Sequence, residues 1–172
     1  MYLLIYSESR SQGCLTPVDS RDFQGMQTCY TIHTLVFLRK NIMQIAHAKE
    51  KLHFEEMNKL TEAVGWGENY YPSKAIWQRV LDHSYVAYIE KNGQLIAFGR
   101  LVEDGLMCMF YDICVHPDFQ KTTLGTQIME SLLAHVQQSD YVCKGLFVWQ
   151  GNPGAKHFYQ SLGFKEAVAM EL

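Results

Sequence analysis

Leucine, isoleucine and valine recur every fourth residue between about Thr123 and Gln138. Leu124, Ile128, Leu132 and Val136 share one side with Leu133 beside them, and Gln127, Glu130 and Gln137 lie opposite. That period predicts an amphipathic helix. Phe54, Met57, Leu60 and Val64 predict a shorter one over His53–Val64, stopped by Gly65-Trp66-Gly67. A second helix is expected after Pro72-Ser73, with Ile76, Trp77, Val80 and Leu81 inward. Ser84–Glu90 and Gln94–Val102 read as strands joined through Asn92-Gly93, the strongest short hairpin signal in the chain. Leu106–Val115 is a long apolar run after a second turn at Glu103-Asp104-Gly105, and a third antiparallel strand is expected there. Lys144–Trp149, Asn152–Leu162 and Phe164–Met170 add a strand, a short helix capped by Gly163 and a last strand. Gln44–Lys49, which alternates Ile45 and His47 against Ala46 and Ala48, is expected to open the series as a strand. The order predicts an α/β (α+β) fold, a mixed and mainly antiparallel sheet with helices on both faces.

Residues 1–42 do not follow this pattern. Ser7–Gln27 is polar and has no sustained period, and Thr31–Leu38 is strand-like without a nearby partner signal. Two parts are therefore expected: 1–42 as an accessory or poorly ordered extension, and 43–172 as the functional domain.

Composition narrows the chemistry. The chain has 172 residues, 48% of them hydrophobic and 19% charged, which suits one folded domain with a substantial core. The net charge of −3 without a basic run argues against nucleic acid as a partner. Five scattered cysteines form no CxxC pair, and seven histidines form no HxxxH or HExxH arrangement, so neither a disulfide framework nor a metal is expected. No apolar run approaches the roughly 20 residues that cross a bilayer, and no basic flank precedes MYLLIY. A cytoplasmic location without membrane association is the expectation.

The stretch Asp112–Leu133 holds the clearest chemistry. An apolar strand leaves through His116-Pro117-Asp118 into a loop with threonines and one glycine, and that loop delivers the chain onto a helix N-terminus. The first N–H groups of a helix lack internal acceptors, and its dipole favours an anion there. Phosphate of a nucleotide-like cofactor suits the place, and an ordinary strand-to-helix turn is the plainer reading.

Three motifs in order then resemble the GNAT-type N-acetyltransferases, which carry acetyl from acetyl-coenzyme A to an amine. The end of LMCMFYDICVHP resembles that family's D-[LI]-x-V-x-P strand exit. Gln120–Thr126 (QKTTLGT) is similar to its Q/R-x-x-G-x-G/A loop, and Asn152–Phe164 (NPGAKHFYQSLGF) to its N-x-x-A-x-x-F-Y-x-x-x-G-F helix. The resemblance covers about Met43 to Leu172. One departure stands out: Thr123 occupies the position of the loop's first glycine.

The resemblance implies acetyl-coenzyme A as cosubstrate and direct attack by a primary amine, either a small molecule or an amino terminus, with a homodimer as a common state. It implies that backbone groups of Ile113, Cys114 and Val115 meet the pantetheine arm and the acetyl oxygen. Gln120, Lys121, Thr122, Thr123, Leu124, Gly125 and Thr126 would hold the pyrophosphate, and Asn152 and Phe158 would help hold the cofactor. Asn152 also suits a plain helix N-cap. Tyr159 takes the position of the general acid, with a core aromatic as the alternative. For the base, Asp112 is the candidate, with Glu103, Asp104 and His116 as competitors. Trp66, Tyr70 and Tyr71 are expected to line the acceptor pocket as an aromatic cage, or else to pack at the sheet's open end. Arg100 is expected at the surface or rim. A different class stays open: an acyl-coenzyme A-binding sensor or interaction module without turnover.

Overall fold

The computed structural model describes residues 2–7, 43–137, 139–149 and 151–167. Residues 1–9 and 44–172 form one compact unit, and the other, 10–43, lies outside the described residues except for Met43. The expected strand Thr31–Leu38 therefore falls outside the description.

Within the unit, strands β1 (Tyr2–Ser7), β2 (Tyr85–Lys91), β3 (Gln94–Glu103), β4 (Met107–Val115), β5 (Cys143–Trp149) and β6 (Lys165–Ala167) form one sheet in the order β2-β3-β4-β5-β1-β6. Every pairing is antiparallel except β4 with β5. The Asn92-Gly93 turn forms as expected, with both residues at positive φ (53° and 78°). From the segment expected to be accessory, β1 enters the sheet between β5 and β6.

The expected opening strand at Gln44–Lys49 is reduced to one bridge. Ala46 and Tyr88 exchange hydrogen bonds of 2.8 and 2.9 Å, and the chain then turns into a short 3-10 helix at Lys49–Lys51. Alternation over a few residues marks an extended chain, and only a partner edge of matching length makes a strand of it.

Helices α1 (Phe54–Ala63), α2 (Lys74–Asp82), α3 (Leu124–Val136) and α4 (Pro153–Ser161) fall where the periods place them. Ser73 and Asn152 cap α2 and α4, their side chains accepting from Ile76 N–H at 3.3 Å and Ala155 N–H at 3.0 Å. The two sheet faces are covered separately. Met57, Leu60, Trp77 and Leu81 of α1 and α2 cluster with Val86, Tyr88, Phe98 and Cys114. On the other face α3 lies across β2, β3 and β4, so close to β3 that only glycine fits at position 99. A Cβ there would stand 2.7 Å from both Ile113 Cδ1 and Ile128 Cγ2.

Candidate active site

The sheet is interrupted where the strand motif ends. β4 and β5 pair only from Met107–Cys143 to Phe110–Leu146. Past that point, among the described residues, β5 pairs with β1 alone, and β4 continues to Val115 without it. Among the described residues, the backbone edge of Ile113–Val115 that faces β5 is thus unpaired over the length where a ladder would have closed it. A bulge helps to turn it: between Cys114 and Tyr111 β4 advances three residues while β3 advances two, from Phe98 to Arg100. Asp112 sits in this bulge at φ 54°. Aspartate tolerates that left-handed region better than most residues, at a cost on the order of 1–3 kcal/mol.

Beyond the strand, His116 N–H donates to the Ile96 carbonyl at 2.8 Å, and Pro117–Phe119 makes one 3-10 turn. Lys121 takes positive φ (59°), and α3 begins at Leu124. Gln120 Nε2 donates to the Val115 carbonyl at 3.0 Å and Thr122 Oγ1 to the Phe119 carbonyl at 2.6 Å, which folds the loop back onto the strand end. No acidic residue occupies the first turn of α3. Thr123, the departure from the glycine pattern, is the N-cap at φ −82° and ψ 0°, a conformation open to any residue. Its Oγ1 accepts from Gln127 Nε2 at 2.8 Å. The substitution therefore adds bulk without backbone strain. Gly125 keeps the start of α3 close to two neighbours: a Cβ there would lie 3.5 Å from Phe158 and 3.7 Å from Val115.

An acid-free helix N-terminus can hold phosphate, and an unpaired strand edge can take up the amides of an extended ligand. Asn152 is at the mouth of α4, where it serves as the cap. Phe158 lies at the α3–α4 contact, 5.1 Å ring to ring from Tyr159.

Tyr159 is buried against Phe158 and Phe164, and among the described residues its hydroxyl has no hydrogen-bond partner. Burial, and secondarily the neighbouring Cys114, hold its phenol well above the usual tyrosine value, so it stays protonated at neutral pH. Cys114 is itself buried, and burial keeps it a thiol.

Asp112 is surrounded by donors. Tyr70 Oη donates to Oδ1 at 2.8 Å, Tyr71 Oη to Oδ2, and Arg100 Nε to Oδ2 at 2.5 Å, with only 4% of the Asp112 side chain exposed. Burial first, then the Asp112 charge, raise both phenols above their ordinary range. Arg100, expected at the surface or rim, is instead largely buried. The register puts it opposite Tyr111, over whose ring its guanidinium lies at 4.8 Å, and Nη1 reaches Ser84 Oγ at 3.3 Å. Its signal was in the sequence as a lone charge inside an apolar strand, a residue type rarely buried without a partner.

The other candidate bases have structural duties. Asp104 accepts from the N–H groups of Leu106 and Met107 in its turn. Glu103 accepts from Tyr141 Oη and faces His135 at 3.4 Å. His116 Nδ1 accepts from Asp118 N–H at 3.3 Å. It also borders a hollow of about 340 Å³ between α1 and the β2–β3 turn, which is lined by Glu56, Lys59 and Gln94 and contains neither Asp112 nor Tyr159.

Trp66, Tyr70 and Tyr71 come together, with 4.9 Å between the centroids of each successive pair. Tyr71 is buried and continues inward to Trp77 at 4.7 Å, whereas Trp66 and Tyr70 are partly exposed. Rings packed at that distance leave no room for a cation between them. They form a packed row, a wall whose outer members Trp66 and Tyr70 reach solvent.

The comparisons agree with this geometry. The family described as an acetyltransferase (GNAT) domain matches residues 81–166. An N-acetyltransferase of uncharacterised role, ycf52 of Porphyra purpurea, is 31% identical over 121 residues, 67% of this chain and 66% of that protein. The [ribosomal protein bS18]-alanine N-acetyltransferase of Escherichia coli K12 is 32% identical over 81 residues, 46% of this chain and 53% of that one. The chain thus spans two-thirds or less of the length of both relatives. A probable acetyltransferase of Staphylococcus aureus has the same fold, with a TM-score of 0.65 at 17% identity over 76% of this chain and 98% of its own. The parted strands, the loop at the start of α3 and the family match over 81–166 converge on one statement: the chain belongs to the GNAT acetyltransferase family.

Proposed function

We propose that the protein is an N-acetyltransferase that moves an acetyl group from acetyl-coenzyme A to a primary amine by direct attack in a ternary complex. The observation that carries the reading is the parting of β4 from β5 beyond Phe110, beside the acid-free N-terminus of α3. In this reading the N–H groups from Gln120 to Thr126, with Lys121, hold the pyrophosphate. The open edge of Ile113–Val115 pairs with the pantetheine arm and polarises the acetyl oxygen, and Phe158 and Asn152 border the same channel.

The bound cosubstrate supplies an acetyl group activated as a thioester. The neutral amine attacks the carbonyl carbon, a C–N bond forms and the C–S bond breaks with its electron pair on sulfur. Tyr159 gives its proton to that sulfur. The proton lost from nitrogen passes through water and restores the phenol, so the sum is amine plus thioester to amide plus thiol. The Trp66–Tyr70 wall provides an apolar, π-rich face to the amine's carrier. The bS18-alanine relative favours an amino-terminal acceptor as the first candidate.

The test is thiol release from acetyl-coenzyme A across a panel that includes peptides with free amino termini, polyamines and arylalkylamines. Turnover with at least one amine is expected. Binding of acetyl-coenzyme A with no turnover on any member would instead favour a sensor.

A further inference from the structure

The surroundings of Asp112 are unlike those of a working base. A base needs a lone pair that faces the acceptor and is within reach of its proton. Here Oδ2 accepts from both Tyr71 and Arg100, Oδ1 accepts from Tyr70, and the side chain is nearly sealed from solvent. A guanidinium and two phenols thus hold the carboxylate in place through charge-assisted hydrogen bonds.

The same contacts form a circuit that closes on itself. Asp112 belongs to the bulge of β4, one residue before the stretch expected to orient the acetyl group. Arg100 belongs to β3 and is held in turn by Ser84, whose Oγ donates to the Val80 carbonyl of α2 at 2.6 Å. Tyr70 and Tyr71 belong to the loop that leads into α2 and, with Trp66, make the aromatic wall. The bulge holds a non-glycine residue at positive φ, a conformation that persists only where its surroundings over-determine it.

We propose that Asp112 is a positioning residue: clamped by Arg100, it pins the β4 bulge and ties the Trp66–Tyr71 wall to the acetyl-orienting edge of Ile113–Val115. The inference rests on the acetyltransferase reading. It replaces the base role that the sequence suggests for Asp112 and leaves the amine's proton to water. One consequence follows for specificity. A change in the wall reaches the cofactor strand through the Asp112 carboxylate, the polar link that adds to the apolar one from Tyr71 through Trp77 and Phe98.

Asp112→Asn and Arg100→Gln are to be compared by two measures, the pH profile of kcat/KM and coenzyme A affinity by calorimetry, with the urea midpoint as a check on folding. A positioning role predicts that both variants lose kcat/KM together. A displacement of about 1 Å at a reacting group costs on the order of 100-fold. Both also keep the ascending limb of the pH profile and bind coenzyme A more weakly. If Asp112→Asn abolished the ascending limb while Arg100→Gln stayed near wild type, Asp112 would be the base and the proposal would fall.

Should neither variant fold, Tyr70→Phe carries the test, because it removes one partly exposed donor and leaves the ion pair intact. Weaker coenzyme A binding at an unchanged urea midpoint is expected. An affinity equal to wild type would overturn the coupling. Wild-type protein that fails to bind coenzyme A at all would instead sink the acetyltransferase reading itself.

Discussion

Replacing Tyr159 by phenylalanine separates chemistry from structure with unusual clarity at this position. The ring lies among Phe158, Phe164 and Cys114, and phenylalanine preserves that volume. The hydroxyl has no hydrogen-bond partner among the described residues, so its removal strands no buried donor or acceptor. The stability change should therefore stay at or below the roughly 0.5–1.5 kcal/mol that a net hydrogen bond is worth. Catalysis should respond very differently. Loss of a positioned general acid lowers rate by about 10²- to 10⁴-fold, which at 1.36 kcal/mol per tenfold is about 3–5 kcal/mol of barrier. The assay is steady-state thiol release with a thiol-reactive chromophore, paired with coenzyme A calorimetry and urea unfolding. A large fall in kcat at unchanged coenzyme A affinity and unfolding midpoint is expected. A kcat within threefold of wild type, where single-turnover rates show chemistry to be limiting, would refute the acid role.

Two further outcomes are open to measurement. Gly99→Ala forces a methyl group to within 2.7 Å of Ile113 and Ile128, and overpacking of this kind typically costs about 1–3 kcal/mol. A lower urea midpoint and weaker coenzyme A binding are expected together, because Ile113 is also on the cofactor edge; an unchanged midpoint would show that α3 is not seated as tightly as the contacts indicate. The second outcome concerns alkaline pH. Tyr70, Tyr71 and Tyr159 all have folded pKa values raised above the ordinary value near 10, first by burial. The folded state then holds these protons more tightly than the unfolded state, so their contribution is present below pH 10 and is lost as pH rises above it. The urea midpoint should fall between pH 10 and 11, less steeply in Tyr159→Phe, and a flat midpoint across that range would contradict the burial of these phenols.

Much of the fold is written locally. Four-residue periodicity placed α3, the Asn92-Gly93 pair placed the β2–β3 hairpin, and Ser73 and Asn152 capped the helices they precede. Each of these signals depends on contacts within one or two turns of chain, where covalent geometry and capping dominate. The sequence also located the loop that opens α3, because a strand exit followed by a helix start is a local pattern. It could not determine whether Gln44–Lys49 would be a strand, since that depends on how much of β2 is available to pair. Nor could it show that Tyr2–Ser7 would take a place between β5 and β6, a pairing with partners more than a hundred residues away.

The site divides along the same line. Sequence alone located the groups proposed to act through backbone and local position: the loop from Gln120 to Thr126 and the aromatic pair Phe158-Tyr159 on its short helix. Only the tertiary structure decided the environment of Asp112. A carboxylate's character is set by what surrounds it, and here the partners come from residues 70, 71 and 100, brought together by the β3–β4 register and the approach of α2. The same holds for the wall of Trp66 and Tyr70, where a cage and a packed pair share one sequence and differ only in ring separation. Local chemistry names the residues, and long-range packing gives each one its burial and its neighbours.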